Sequence, residues 1–374
     1  MLAHRARVGA ALAALSAATL AVTVTAAAPG SAQTALVAHS IPVAVITGAQ
    51  SINTTEARFD VKGTDLGIMW TDEHGRILAA FGDTFGAGWA GISSGFAKPA
   101  TIGWRSNTLA RSTDRNPKDG VSFDDFVTDR PGHAKELLPS LKRNGVEMTK
   151  IPTGGINING RDYLAYMSIR KFTKPGHWIT NYNGVAYSDD GGQTWTEVPS
   201  THRPNTAALD DKFQMIAYTS GGDFVYAFGT PNGRFGDAYL ARVPKHYLLD
   251  NAAYEYWTGK GWSRGNSAVA TPIVAGPVGE LSIRYDKTLR SWEMMYLDEA
   301  AEAIVLRLAP DPAGPWGAPI QVANATEYPD LYGAFLNPDS EGRELYFTMT
   351  QYKKYNVMMM HATLPANIVR QAQR

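Results

Sequence analysis

The 374-residue sequence predicts an all-β fold, a five-bladed β-propeller. Three observations point there. Apolar residues recur every three or four positions only in short pieces such as 134–141, so no long helix is expected. Short runs rich in Tyr, Phe, Val, Ile and Trp alternate closely with Gly, Asp, Asn and Pro, the pattern of strands and turns. Five segments repeat one plan, in which a strand, a tight polar turn and a second aromatic-rich strand follow one another.

The chain opens with an element outside the propeller. His4, Arg5 and Arg7 precede an apolar run from Val8 to about Ala28, and Gly30 and Ala32 occupy the small-residue positions of a signal-peptidase site. Residues 1–32 therefore read as a secretory signal peptide, with 33–374 as one domain. The competing reading is an uncleaved membrane anchor, which the Ala-rich run ending in Pro29, Gly30 and Ser31 disfavours. No later stretch approaches the ~18 apolar residues of a spanning helix, so stable membrane insertion is not expected. The predicted location is secreted or in the cell envelope.

An apolar strand at 41–46 precedes the first repeat and is expected to pair with the last blade, closing the ring and removing its exposed edges. The repeats follow in order. Blade one has strands 65–70 and 76–81 around a turn at 71–75, and blade two has 154–158 and 163–169 around 159–160. Blade three has 212–218 and 224–228 around 220–223, blade four 280–285 and 292–297 around 286–290, and blade five 331–336 and 344–349 around 337–342. Third strands are expected at 107–111, 184–187, 238–243, 303–308 and 356–362. Five units share the exported chain at roughly 68 residues each, enough for a four-stranded blade with loops. Ser188-Asp189-Asp190-Gly191-Gly192-Gln193-Thr194-Trp195 matches the Asp-box pattern S-x-D-x-G-x-T-W. It marks a hairpin turn between outer strands, with Asp190 bonding the turn backbone and Trp195 packing beneath, and its role is structural.

Composition excludes several functions. Without Cys there is no disulfide scaffold, zinc finger, iron–sulfur site or cysteine nucleophile. Thirty-five basic residues balance thirty-five acidic ones, which leaves no general basic face for nucleic acid. Residues 1–32 hold two Arg and no acid, so the exported part is mildly acidic, and its lack of Cys suits bacterial export. The eight His show neither H-E-x-x-H nor His-x-His spacing, so no catalytic metal or other cofactor is expected, and a structural cation is left open. There is no G-x-S-x-G nucleophile elbow. The Gly-rich stretch 229–236 lacks the Lys-Ser/Thr ending of a phosphate loop and joins two strands.

Propeller ligands bind at the mouth of the central channel, so carboxylates at one end of the inner strands are the candidates. Blade one supplies two. Asp65 opens the first strand in Gly63-Thr64-Asp65-Leu66-Gly67, and Asp83 closes the second in Phe81-Gly82-Asp83-Thr84-Phe85. A hairpin loop at 72–75 sets Asp65 opposite Gly82, placing Asp83 within one residue of opposition and the two Cβ atoms roughly 5–8 Å apart. The parallel stretch in blade three, Phe228-Gly229-Thr230-Pro231, repeats the turn without the acid. Two neighbouring carboxyls, one protonated and one ionised, are what glycosidic hydrolysis needs. The bland reading makes both of them turn residues bonded to backbone amides.

Asp60 is a weaker third acid, and Glu280 opens the first strand of blade four at the same rim. Trp104-Arg105-Ser106-Asn107 joins a stacking surface to several donors suited to a sugar. Trp89, Asn181, Tyr182, Arg234 and Tyr332 stand in loops or strand starts facing that rim, with ordinary packing as the competing role for each. The candidate substrate-binding set is Trp104, Arg105, Ser106, Asn107, Asn181, Arg234, Glu280 and Tyr332.

The motifs around Asp65 and Asp83, together with Trp104-Arg105-Ser106-Asn107, Thr180-Asn181-Tyr182-Asn183-Gly184 through Trp195 and Phe228-Gly229-Thr230-Pro231 through Arg234, resemble a known family. They are similar to the domain-of-unknown-function 4185 proteins of actinobacteria, associated with glycoside hydrolase family 183. The likeness runs from about Val43 to Leu364. It implies a five-bladed propeller and an endo-D-arabinanase acting on the α-linked D-arabinofuranose polymer of mycobacterial arabinogalactan and lipoarabinomannan. It also implies two catalytic aspartates, at positions matching Asp65 and Asp83, and an inverting reaction. Asp65 is assigned as base and Asp83 as acid, an order open to reversal. The expected partner is the polysaccharide alone, bound by a monomer. The rival reading is a non-catalytic glycan-binding propeller of the cell envelope. A sialidase-like reading rests on the Asp box alone and lacks an arginine triad and a paired Tyr/Glu.

Overall fold

The computed structural model describes residues 36–92, 102–208 and 211–372, so the predicted signal peptide lies outside the described residues. Five antiparallel sheets succeed one another along the chain. Blade one is Leu66–Thr71, Ile77–Phe81, Thr108–Ser112 and Asp125–Phe126. Blade two has longer strands, Thr149–Ile158, Arg161–Lys174, His177–Ser188 and Thr196–Pro204. Blade three is Met215–Gly221, Phe224–Thr230, Ala238–Pro244, Glu255–Trp257 and Trp262–Arg264. Blade four is Leu281–Asp286, Ser291–Asp298, Ala303–Ala309 and Ile320–Asn324. Blade five is Leu331–Leu336, Glu344–Gln351 and Val357–Thr363, and its fourth strand is Ser40–Val45 from the other end of the chain.

The first strands of the five sheets neighbour one another in a closed cycle, blade five meeting blade one again, which makes the arrangement a five-bladed propeller. The second strand Ile77–Phe81 and the first strand Leu331–Leu336 are buried at every residue. Each is covered by a neighbouring blade on both faces, so apolar residues run continuously there rather than alternating. Blades also lock by polar contacts: Trp70 Nε1 of blade one donates to Asp162 Oδ1 of blade two over 3.0 Å.

Strand 41–46 closes the last blade as expected. A shorter strand, Leu36–Val37, adds itself in parallel to the outer edge of blade four, which the sequence reading does not foresee. The Asp box joins the two outer strands of blade two. Asp190 accepts from Ser188 Oγ, Thr194 N and Thr194 Oγ1, while Trp195 lies 6.4 Å from Trp70, centroid to centroid. Burial alone would raise the Asp190 carboxyl, but these donors outweigh it and hold it below the ordinary value.

The apolar periodicity of 134–141 does not produce a helix: His133–Ala134 is a short strand paired with Thr128–Arg130 and an irregular segment follows. Its Leu137 and Leu138 N–H groups donate to Asn107 Oδ1, which satisfies them outside any helix. Short helices occur instead at Thr55–Phe59 and Ala366–Ala372.

Gly155, on the inner strand of blade two, marks how closely the blades approach. A Cβ there would lie 2.1 Å from Trp70 Cε3, and Trp70 is buried and hydrogen-bonded. Gly155→Ala is therefore expected to destabilise the fold by about 1–3 kcal/mol or more, as overpacking does, lowering the thermal midpoint. An unchanged midpoint would mean that the two blades are free to shift apart.

Candidate active site

The hairpin of blade one continues past its strands toward the rim. Leu66 pairs with Phe81, the Gly82 N–H donates to the Asp65 carbonyl over 3.2 Å, and Gly63 bridges Phe85. Between those last two contacts Thr64 alone faces Asp83 and Thr84, so the second side carries one extra residue. That bulge re-aims Asp83, and the Thr64–Thr84 hydroxyl contact of 2.7 Å pins it. A second irregularity follows Asp65, where Leu66 (φ 71°) and Gly67 (φ 84°) both take the left-handed conformation. The turn of the hairpin is one residue longer than the sequence reading places it, with Thr71 paired to Ile77. The irregularity at Gly67 restores the register at Leu66–Phe81, so Asp65 does stand opposite Gly82.

Both acids line a cavity of about 870 Å³ at this end of the propeller. Strand ends and loops of all five blades wall it, among them Ile151, Trp178, Met215, Glu280, Tyr332 and Tyr355. Asp83 is 3% exposed, and its Oδ1 accepts from Trp104 Nε1 (2.7 Å) and Thr149 Oγ1 (2.5 Å). Burial pushes its carboxyl up to about 7, against the two donors and Lys142. Asp65 is half-buried. Its Oδ2 accepts from the Tyr332 hydroxyl (2.9 Å), and its Oδ1 is buried without a partner in hydrogen-bond geometry. Burial and then the Asp83 charge push it up to about 8, with Glu280 adding to the rise and Tyr332 and Tyr355 opposing it. Both carboxyls are therefore held toward the protonated form by burial, and Asp83, with two donors on one oxygen against the single Tyr332 donor of Asp65, has the surroundings that better favour a carboxylate.

These raised values carry a cost in stability. Between about pH 4 and pH 8 the folded chain keeps protons that the unfolded chain releases, so stability falls as pH rises through that window. Asp65→Asn and Asp83→Asn are expected to melt at higher temperature than the parent at pH 8, with the gap closing near pH 4. Calorimetry at the two pH values checks this, and equal midpoints at pH 8 would exclude strongly raised carboxyls.

The substrate-binding candidates divide. Arg234, Glu280 and Tyr332 line the cavity beside the two aspartates. Trp104, Arg105, Ser106, Asn107 and Asn181 do not, and each has another task. Trp104 is buried within an aromatic cluster with Phe85, Trp89 and Tyr355 and offers Asp83 its N–H rather than a stacking face. Arg105 is 4% exposed and binds the carbonyls of Ala134 and Asp60. The Ser106 amide donates to Glu136, and its hydroxyl meets that of Ser140. Asn107 is fully buried, donating to the Leu138 and Lys150 carbonyls and accepting from two amides. Asn181 ties Arg170, Ser168 and Val146 together. Trp89 packs on Phe85 and Tyr182 on His202, away from the cavity. Asp60 caps the turn at Ala87 through its carboxylate and is no third acid at the cavity.

Thr149 and Tyr355 touch or face the acids and are absent from the sequence reading. That reading begins the inner strand of blade two at Gly154, whereas the strand begins at Thr149, at the rim. Tyr355 sits in the turn before the third strand of blade five, at the same rim, with φ 50°. Among the described residues no group of three or more His, Asp or Glu is disposed to hold a metal. No described helix is long and apolar enough to cross a membrane.

Comparison with known proteins follows the same outline. A Bacteroides ovatus structure with only a provisional hydrolase description matches with a TM-score of 0.54 at 12% identity, over 83% of this chain and 88% of its own. That likeness concerns the fold. An uncharacterized 35.9 kDa protein of Mycolicibacterium smegmatis is 23% identical over 79% of this chain and 88% of its own. Notoamide biosynthesis cluster protein J of Aspergillus sp. (strain MF297-2) is 33% identical over 316 residues, covering 79% of this chain and 81% of its own. The family model described as Domain of unknown function (DUF4185) matches residues 50–361, a span that holds both aspartates and their supporting side chains, and the chain belongs to that family.

Proposed function

We propose that the protein is a glycoside hydrolase cutting internal α-D-arabinofuranosyl linkages in the D-arabinan of mycobacterial arabinogalactan and lipoarabinomannan. The observation that carries the reading is the pair of raised, differently supported carboxyls in one cavity, Asp65 and Asp83. The arabinan specificity rests on the likeness of the surrounding motifs to the family named above. The protein acts outside the cytoplasm, after loss of residues 1–32, and as a monomer.

The hydrogen-bond donors favour the other of the two orders left open by the sequence. Asp65, with the single Tyr332 donor, is the general acid, and Asp83, with two donors on Oδ1, is the general base. Asp65 gives its proton to the glycosidic oxygen as the bond from that oxygen to the anomeric carbon breaks. Asp83 takes a proton from a water whose oxygen attacks the anomeric carbon from the other side. The sum is one water consumed, one linkage cut and the anomeric configuration inverted. Apolar and aromatic walls such as Trp178 and Met215 hold the chain, as sugar sites do.

Incubating the protein with purified arabinogalactan tests this, with the anomer of the first-formed product followed by NMR. Short arabinosides released with inverted configuration support the reading. Retained configuration would overturn the base role of Asp83. Binding of the polymer with no product would replace the hydrolase by a glycan-binding propeller.

A further inference from the structure

Arg234, Glu280 and Tyr332 look at first like sugar-contacting groups, since all three line the cavity. Their bonds say otherwise. Both oxygens of Glu280 accept from Arg234, at 3.0–3.1 Å from Nε and 2.8 Å from Nη2. Nη1 reaches Glu299 at 3.4 Å, so every nitrogen of the guanidinium already bonds a carboxylate. The guanidinium carbon lies 4.8 Å from the centre of the Tyr332 ring. A cation held over a phenol ring is attracted to it, and it makes the hydroxyl a better donor. That hydroxyl, on a residue 4% exposed, is spent on Asp65 Oδ2.

These contacts run from blade to blade around the rim. The Arg234 N–H donates to the Gly176 carbonyl at the hairpin tip of blade two, over 3.0 Å. Arg234 itself belongs to blade three, Glu280 opens blade four, Tyr332 opens the inner strand of blade five, and Asp65 belongs to blade one. Asp83 then returns to blade two through Thr149. One polar belt thus passes through all five blades around the mouth of the channel and has both acids in it.

We infer that Tyr332, backed by Arg234 and Glu280, is a positioning residue that fixes the Asp65 carboxyl for proton transfer, and that none of the three binds sugar. The inference rests on the hydrolase reading for its kinetic consequence, but not for its structural one. Tyr332, Tyr355, Asp83 and Glu280 are the polar and charged groups that act on Asp65. Removing the Tyr332 hydroxyl deletes a donor that favours the ionised form, and so moves the Asp65 midpoint upward.

Two measurements on Tyr332→Phe test this. In the ligand-free protein, the Asp65 carboxyl is titrated by carbon-13 NMR, its signal identified by its absence from Asp65→Asn. The midpoint is expected to rise by a measurable fraction of a pH unit or more, and no shift would overturn the inference whether or not the protein cuts arabinan. With arabinan, kcat is expected to fall about ten- to hundredfold, as for loss of a hydrogen bond to a charged group, with KM within about twofold. A raised KM at unchanged kcat would overturn the inference and make Tyr332 a sugar contact. Should Tyr332→Phe fail to fold, Arg234→Lys serves both measurements. It keeps the charge but loses the paired bonds to Glu280, and is expected to give smaller changes of the same signs. Unchanged kcat and midpoint in a folded Arg234→Lys would remove Arg234 from the belt's function. If the parent protein cuts no arabinan while the titration shifts as expected, the hydrolase reading fails and the positioning stands.

Discussion

Asp83→Asn is expected to lower the rate of arabinan cleavage by about 10²–10⁴, the usual worth of a general acid or base. The substitution is mild for the fold. The amide oxygen can still accept from Trp104 and Thr149, so the side chain keeps its place and loses only its basicity. Asp65→Asn is expected to lose as much on the polymer, for a different reason. Its role is to protonate a poor leaving group, and an aryl arabinofuranoside, whose phenolate leaves unaided, removes that need. Asp65→Asn should therefore recover much of its rate on the aryl substrate, while Asp83→Asn stays inactive on both. The opposite pattern would restore the order first assigned, with Asp65 as base. Equal residual activity of both variants on the polymer, close to that of the parent, would end the two-aspartate mechanism.

The second large effect is expected from a single methyl group. A Cβ on residue 82 would lie 2.3 Å from Asp65 Oδ1 and 3.2 Å from Leu66 Cδ1. Gly82 is not among the residues of positive φ, so alanine is compatible with the backbone there. The carboxyl is what must give way, by rotating out of its bond to Tyr332. Misplacing a reacting group by about 1 Å costs on the order of a hundredfold, so Gly82→Ala is expected to lose about that much in kcat. Its melting point should stay near the parent's. Full activity would mean that Asp65 can act from a second rotamer, and a collapse in stability would make Gly82 a folding residue instead.

The two acids were legible because their placement depends on a short hairpin. Strand ends within twenty residues of each other are fixed by one turn, and Asp65 opposite Gly82 needs only the register of Leu66 and Phe81. The turn is longer than its composition indicates, and the irregularity at Leu66 and Gly67 compensates. The fold was legible because the five repeats each carry the same strand and turn pattern. The surroundings of the acids were not, because they come from distant blades. Whether Trp104 presents its ring to a ligand or its N–H to Asp83 depends on where Phe85 and Tyr355 pack, and Tyr355 is some 250 positions away. Arg105 and Asn107 have the donors of a sugar site, yet backbone carbonyls of Ala134 and Asp60 take those of one, and of Leu138 and Lys150 those of the other, so neither side chain reaches the cavity. Residue type signals the capacity to bond; only the fold says which partner arrives first.

The strand that shuts the ring bears on how the chain folds. Ser40–Val45 pairs with Val357–Thr363, so the last blade is assembled from residues more than three hundred positions apart. Closing so long a loop costs only slowly growing entropy, but it makes this pairing late, since non-local contacts form after local ones. Four blades can form in turn as the chain emerges, while the fifth waits for both ends. A chain interrupted before Val357 leaves Ser40–Val45 without its partner and Glu344–Gln351 with an open edge. Such fragments are aggregation-prone species, and the full-length chain escapes that hazard only at its final step.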